Sequence, residues 1–140
     1  VDALRAGRDP TFVARLASGS AVLGERQVLP GYCLLLPDPV VPTLNALAGE
    51  ARGGFLADMA ALGDAVLAVT HAPRINYAIL GNQDPALHAH VIPRYAHEPA
   101  RNVHDTPWSY DWDAAPPFDA ELHRDLRDRI HAALGQMARS

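Results

Sequence analysis

The feature that most limits the folds open to this sequence is a change of hydrophobic period near residue 48. Two short apolar runs at 20–23 and 32–36 come first, separated by glycine and proline, and they predict two antiparallel strands. From 48 to 70 the apolar side chains instead recur every three or four positions, which predicts one long helix with a single apolar face. That face consists of Phe55, Met59, Leu62, Val66 and Val69. Such an order favours a helix packed on a sheet.

Further elements are predicted on both sides of this frame. Asp9 and Pro10 indicate a short helix that ends near residue 19. Strands are predicted at 74–80 and 87–92, joined by a tight loop at 81–85. A last helix is predicted over 119–137, with Leu122, Leu126, Ile130, Ala133 and Met137 on its apolar side. The expected fold class is α+β: an antiparallel sheet with one long helix packed on it and a C-terminal helix.

The length of 140 residues suits one domain, 1–140, with its core at about 20–95 and a C-terminal loop and helix at 96–140. The loop at 94–118 is interrupted by four prolines and is rich in aromatic residues. Loops of this length in a compact domain are often functional. Its aromatic residues could form a base-stacking platform, although packing the loop down or forming a subunit contact is the commoner role. They are Tyr95, Trp108, Tyr110 and Trp112.

Composition excludes several functional classes. The net charge of −4 argues against a nucleic-acid or membrane partner. All twelve basic residues are arginines, so neither a Schiff-base lysine nor a phosphate-loop lysine is available. The single cysteine, Cys33, cannot form an internal disulfide. No run approaches the about 20 uninterrupted apolar residues of a membrane helix, and no signal pattern opens the sequence. A cytoplasmic location is therefore expected.

Two histidines on the strand at 87–92 carry the candidate chemistry. Alternate residues of a strand share a face, so His88 and His90 lie on one side, and Leu87, Ala89 and Val91 face the helix on the other. Imidazole is a fair nucleophile and titrates near neutral pH. Two rings about 7 Å apart can divide the work: one attacks phosphorus while the other donates to the phosphate oxygens or to the leaving group.

The run Leu87-His88-Ala89-His90-Val91-Ile92-Pro93-Arg94 resembles the second half of the histidine triad signature, His-x-His-x-His followed by two apolar residues and often Pro-Arg. Upstream, Val28-Leu29-Pro30-Gly31-Tyr32-Cys33-Leu34-Leu35-Leu36-Pro37 resembles the Pro-Gly-His strand of the same proteins. The resemblance extends from about residue 20 to residue 95, and the predicted order of elements agrees with that fold. The chain resembles a bacterial-type member of this superfamily.

The resemblance implies hydrolysis or nucleotidyl transfer at the α-phosphate of a nucleotide, with hydrolysis favoured. The middle histidine of the triad forms a covalent nucleotidyl-histidine intermediate, so His88 would be the nucleophile, and His90 would support it and the bound phosphate. The implied partner is a small-molecule nucleotide. No cofactor or protein-bound metal is expected, although a divalent cation could arrive with a polyphosphate substrate. Because dimers are common in this family, a homodimer is also compatible with the sequence.

Two positions depart from the family pattern. Ala86 stands where the first triad histidine belongs, which leaves the incomplete triad Ala86-x-His88-x-His90, and Tyr32 stands where the earlier strand normally offers a histidine. Losing one donor to a developing phosphate charge can cost on the order of 10²–10³ in rate. The loop from Gly81 to Pro85 is also shorter than in the dinucleotide hydrolases, and its spacing is closer to the galactose-1-phosphate uridylyltransferase branch.

Further substrate-binding candidates surround the histidine pair. Asn82 and Gln83 could orient phosphate oxygens, or Asn82 could merely supply turn geometry. Glu25 lies near the region from which family members often hold the ribose hydroxyls, although a solvated turn glutamate is the favoured interpretation. Tyr32 occupies the position of a family histidine. Arg94 could reach phosphate or clamp the C-terminal loop, the second role being favoured.

His97 and His104 are candidates to replace the missing triad histidine from the C-terminal loop. That hypothesis predicts that His97→Ala or His104→Ala reduces turnover. Since the attacking imidazole must be neutral, activity is also expected to fall below about pH 6.

Two rival functions remain open. With two polar partners lost, the protein could be a catalytically weak nucleotide-binding module. The His-x-His pair could instead be half of a metal site, but Cys33 is isolated and no third ligand is evident in the sequence.

Overall fold

The computed structural model describes residues 9–138. Its centre is a five-stranded antiparallel sheet with strand order β1-β2-β3-β5-β4. The strands are β1 (Phe12–Arg15), β2 (Gly19–Leu23), β3 (Cys33–Pro37), β4 (Arg74–Ala78) and β5 (Ala89–Arg94). The α-helices are α1 (Gly49–Thr70), α2 (Ala100–Val103) and α3 (Ala120–Ala138), and two short 3-10 helices lie at Leu44–Ala46 and Pro107–Ser109. The predicted α+β class is confirmed.

The short helix predicted at 9–19 is wrong. Asp9 does act as a local cap, but its carboxylate accepts from the N–H and hydroxyl of Thr11 at the entrance to a strand. The following residues form β1, which pairs antiparallel with β2 and buries Val13. Pairing with a neighbouring strand and burial of an aliphatic side chain outweigh the local N-cap and proline signal.

The long helix α1 confirms the prediction from periodicity. Its inward face includes Phe55, Leu62, Val66 and Val69, all buried, while Met59 is partly buried. The helix continues through Gly53 and Gly54 in its first turns, where a Cβ atom would have no neighbour within 4 Å. By length and composition, helix α1 is long and apolar enough to cross a membrane, and in this structure it packs on the sheet.

Strand β5 begins two residues later than predicted and continues through Pro93. The proline is tolerated because β3 pairs only with residues 89–91, so at Pro93 the strand has a single neighbour, β4. The predicted division of faces is confirmed. Ala89 and Val91 belong to the core beneath α1, whereas Ile92 packs in a second cluster on the opposite face of the sheet.

The C-terminal helix α3 agrees with the prediction except at its start. Leu122 was assigned to the apolar stripe, but it is 72% exposed, and the neighbouring His123 is buried instead. The His123 ring stacks on Phe118, and its Nδ1 accepts the N–H of Asp119. The polar cap of the first turn therefore sets which side faces inward. The inner side of α3 buries Ile130 and Leu134.

The segment between β5 and α3 is held by the guanidinium of Arg94. This side chain donates to the carboxylate of Glu98, to Oδ1 of Asn76 and to the carbonyls of Asn102 and Asp105. Arg94 is 7% exposed, and its Nε, Nη1 and Nη2 atoms are all engaged. The expected substrate contact of Arg94 is therefore corrected: the residue clamps the loop, the alternative favoured from the sequence.

Glu98 completes this clamp from the other side. Burial opposes its ionisation, but hydrogen bonds from Arg94, from the Tyr110 hydroxyl and from the Tyr95 N–H outweigh that effect, so the pKa of Glu98 is lowered. The carboxylate is thus a charged partner in a buried ion pair. Removal of either side chain leaves the other as a buried charge with no opposite charge beside it.

We predict that Arg94→Met lowers the free energy of unfolding by about 3–5 kcal/mol, because it strands the Glu98 carboxylate in a buried site. The matched control is Arg15→Met, which breaks an exposed ion pair with Asp38 of similar length and should cost no more than about 1 kcal/mol. Chemical denaturation of the three proteins measures both values. Equal losses in the two variants would contradict the clamp.

Candidate active site

His88 lies just before β5, and its ring is fixed by the backbone. Its Nδ1 is 2.7 Å from the carbonyl oxygen of Ala86. A carbonyl oxygen can only accept a hydrogen bond, so Nδ1 of His88 carries the proton. In the neutral ring the other nitrogen, Nε2, therefore holds an unshared electron pair. The backbone itself selects the tautomer in which Nε2 can act as a nucleophile.

His90 on β5 has the opposite arrangement. Its Nδ1 is 2.8 Å from the hydroxyl oxygen of Tyr32. Burial, with the nearby Cys33 and Glu25, raises the pKa of the Tyr32 hydroxyl, so this hydroxyl keeps its proton. Within residues 9–138 the hydroxyl contacts no other hydrogen-bond acceptor, so we assign it as the donor to Nδ1. The proton of the neutral His90 ring then resides on Nε2. His90 presents a hydrogen-bond donor where His88 presents an electron pair.

The two rings are adjacent in one cavity of about 400 Å³. Their centroids are 5.0 Å apart with an interplanar angle of 76°. Asn82 and Gln83 of the loop before β5 line the same cavity, so the structure brings four of the predicted site residues together. Trp108 closes one side, with its ring edge-on to His90 at 5.2 Å between centroids.

Burial also sets the charge state of His90. Desolvation, followed by the neighbouring His88, lowers the pKa of His90 to about 4. A ring that stays neutral down to that pH hydrogen-bonds through Nε2–H without bringing a positive charge into the cavity. The same ring stacks on Tyr32 at 5.9 Å between centroids, which adds an apolar contact to the hydrogen bond.

A second cavity of about 410 Å³ adjoins the first across Tyr32. Leu34 lines this cavity and is paired directly with His90 between β3 and β5, so the two cavities open on the same face of the sheet. Glu25 lies at the second cavity together with Trp112. Tyr32 connects the two cavities, since its side chain lines the second cavity and its hydroxyl contacts His90 of the first.

Tyr32 is positioned by the turn between β2 and β3. The amide of Gln27, which is buried, donates to the carbonyls of Gly24 and Tyr32 and accepts the N–H of Gly31. Gly24 is required beneath the aromatic ring, because a Cβ atom there would lie 2.1 Å from the Tyr32 side chain. The hydroxyl therefore reaches His90 from a fixed platform.

No protein-family model and no curated protein matches the sequence. Solved structures do match. A histidine triad protein from Sinorhizobium meliloti is 25% identical, with a TM-score of 0.77, and the alignment covers 92% of this chain and 93% of that one. A histidine triad protein from Marinobacter aquaeolei is 22% identical, with a TM-score of 0.76 and coverage of 97% and 95%.

By its fold, this chain is a histidine-triad-like protein. A third match, a hypothetical histidine triad nucleotide-binding protein from Sulfolobus tokodaii, is 13% identical, with a TM-score of 0.75 and coverage of 97% and 91%. The resemblance noted in the strand and loop sequences is thus matched by the arrangement of the whole sheet and both long helices.

Not every predicted site residue of this histidine-triad-like protein lines the His88 cavity. Glu25 lies at the second cavity, Arg94 is buried in the loop clamp, and His97 and His104 are exposed elsewhere. The His97 ring stacks on Tyr95 instead. Neither of these two histidines is placed to replace the missing triad member.

The structure adds two contacts at the site that the sequence does not predict. The hydroxyl of Tyr32, a substrate-binding candidate, supplies a hydrogen bond to His90. Trp108 reaches the site from the long loop, and of the four aromatic residues considered there it alone lines the His88 cavity. Tyr95, Tyr110 and Trp112 pack against the cluster that contains Tyr32 and Ile92, as the commoner role of such residues predicts.

Within residues 9–138, no group of three or more histidine, cysteine, aspartate or glutamate side chains is placed to hold a metal ion. In the histidine pair, Nδ1 of His88 contacts the Ala86 carbonyl and Nδ1 of His90 contacts the Tyr32 hydroxyl, so the Nε2 atoms are the ring nitrogens left for a ligand.

The lowered pKa of His90 makes stability depend on pH. Between about pH 6.5 and 4 the unfolded chain binds a proton at this ring and the folded protein does not, so the free energy of unfolding falls as the pH is lowered through that window. We predict that His90→Gln, which removes the titration, shows a smaller loss of stability between pH 7 and pH 4.5 than the wild type. Denaturation at the two pH values measures it, and identical losses would refute the lowered pKa.

Proposed function

We propose that this protein is a nucleotide hydrolase or nucleotidyltransferase that acts at an α-phosphate through a covalent nucleotidyl-histidine on His88. The observation that carries the proposal is the hydrogen bond from His88 Nδ1 to the Ala86 carbonyl, beside the ring of His90. It leaves Nε2 as an electron-pair donor on a ring that lines an open cavity. Histidine triad structures among the matches, one of them named nucleotide-binding, support the substrate class.

In this mechanism the two rings have separate tasks. The Nε2 electron pair of His88 attacks the α-phosphorus, and the leaving group departs with the bonding pair of electrons. The Nδ1–H of His88 keeps its hydrogen bond to the Ala86 carbonyl, and this bond stabilises the positively charged ring that attack produces. His90 donates through Nε2–H to a phosphoryl oxygen, assisted by the amides of Asn82 and Gln83. Water or another acceptor then discharges the intermediate.

The nucleoside half of the substrate is assigned to the second cavity. It begins at Tyr32, next to His90, and is lined by apolar side chains and by Trp112, surfaces suited to a base. Glu25 at its edge could accept hydrogen bonds from the ribose hydroxyls, the role expected from the sequence. The α-phosphate would then lie between the two cavities. No resident cofactor takes part, and a cytoplasmic enzyme remains our expectation.

We predict that His88→Gln lowers kcat/KM by more than about 10³, because the attacking electron pair is lost. The test incubates the protein with a panel of adenylated and uridylylated substrates, quenches in base, and searches by mass spectrometry for a nucleotide on the peptide that contains His88. The matched controls are His97→Gln and His104→Gln, which remove exposed rings outside the cavity and should retain both turnover and adduct.

The alternative functions give different results in the same experiment. A thermal shift with AMP but neither adduct nor turnover would contradict the enzyme and favour a nucleotide-binding module. A shift with zinc alone would favour a metal-binding protein. An adduct on a residue other than His88 would overturn the assignment of the nucleophile.

A further inference from the structure

The His88 cavity contains little that can protonate a leaving group. Among its lining residues, Leu80 and Gly81 have no acidic proton, and Asn82 and Gln83 carry amides that donate hydrogen bonds without releasing a proton near neutral pH. The carboxylate of Asp84 already accepts the N–H of Ala86.

Neither histidine can act as the general acid that protonates a leaving group. The Nδ1 proton of His88 is held by the Ala86 carbonyl. His90 could serve as an acid only as a cation with protons on both nitrogens, yet its Nδ1 accepts the Tyr32 hydroxyl, and its pKa of about 4 keeps the ring neutral. General acid catalysis is typically worth about 10²–10⁴ in rate, so its absence restricts the substrates that can react.

The charge of the His88 cavity restricts the possible substrates further. No arginine of residues 9–138 lines it, the sequence has no lysine, and Asp84 adds a carboxylate. A polyphosphate leaving group would bring several negative charges against this wall. The cavity does offer apolar surface, since Leu80 is 56% exposed and Trp108 is 42% exposed.

From these observations we infer the leaving group, taking the proposed function as the basis. The site is built for nucleotides whose α-phosphate carries an organic oxyanion of low basicity with an apolar body, a carboxylate or an acidic phenol, seated against Trp108 and Leu80. Alkyl amines, alcohols and polyphosphates are poor leaving groups here.

The step balances without an added acid. The Nε2 electron pair of His88 forms the N–P bond while the P–O bond to the leaving group breaks, and its electron pair leaves as the carboxylate or phenolate. A carboxylate, whose conjugate acid has a pKa of about 4, needs no proton at neutral pH, whereas an alkylamine, with an ammonium pKa of about 10, does. Water then attacks phosphorus, the N–P electron pair returns to Nε2, and the proton of water passes to solvent.

A leaving-group series tests the inference. AMP and UMP are presented as their 4-nitrophenyl ester, phenyl ester and butylamide, and the first-turnover rate of nucleotide transfer to His88 is measured for each. The 4-nitrophenyl ester should react at least about 10²-fold faster than the phenyl ester, with no reaction of the butylamide. Equal rates across the series would overturn the inference while the adduct upheld the proposed function. Absence of any adduct would instead remove the proposed function itself.

Asp84→Asn tests the charge argument and keeps an oxygen that can accept the Ala86 N–H. The wild type should transfer the nucleotide of ATP more slowly than that of the 4-nitrophenyl ester, and the variant should narrow this difference. ATP reacting as fast as the ester in the wild type would show that the cavity accepts polyphosphates.

Discussion

A single backbone carbonyl determines what this site can do. The oxygen of Ala86 has no proton to give, so it fixes the Nδ1–H tautomer of His88 and leaves Nε2 free for attack. This bond needs only a backbone atom two residues before the ring, so it forms although alanine stands where the histidine triad signature has a histidine. The alanine side chain offers no donor, and the backbone still fixes the orientation of the His88 ring.

The sheet supplies the second constraint. Antiparallel pairing of β3 with β5 places Leu34 opposite His90 and brings the turn before β3, with Tyr32, to the same face. Helix α1 covers the other face, so polar groups collect on the side closed by the long loop. Arg94 holds that loop near the sheet, and through it positions Trp108 beside His90. Core packing and site geometry therefore depend on the same strand.

Much of this arrangement could be predicted because its signals are local. The period of α1, the alternation along β5 and the spacing of His88 and His90 each appear within a short window of sequence. The failures arose where distant contacts decide. Strand β1 forms because β2 is there to pair with it, and the bond between Tyr32 and His90 joins residues 58 positions apart. No spacing within either segment could reveal that bond.

The most direct measurement of the central claim is the tautomeric state of the two rings. Long-range proton–nitrogen correlation spectra of the ¹⁵N-labelled protein at neutral pH, assigned with His88→Gln and His90→Gln, report which nitrogen of each ring carries the proton. We expect the proton of His88 on Nδ1 and that of His90 on Nε2. A proton on Nε2 of His88 would leave no electron pair for attack and would contradict the assignment of this residue as the nucleophile.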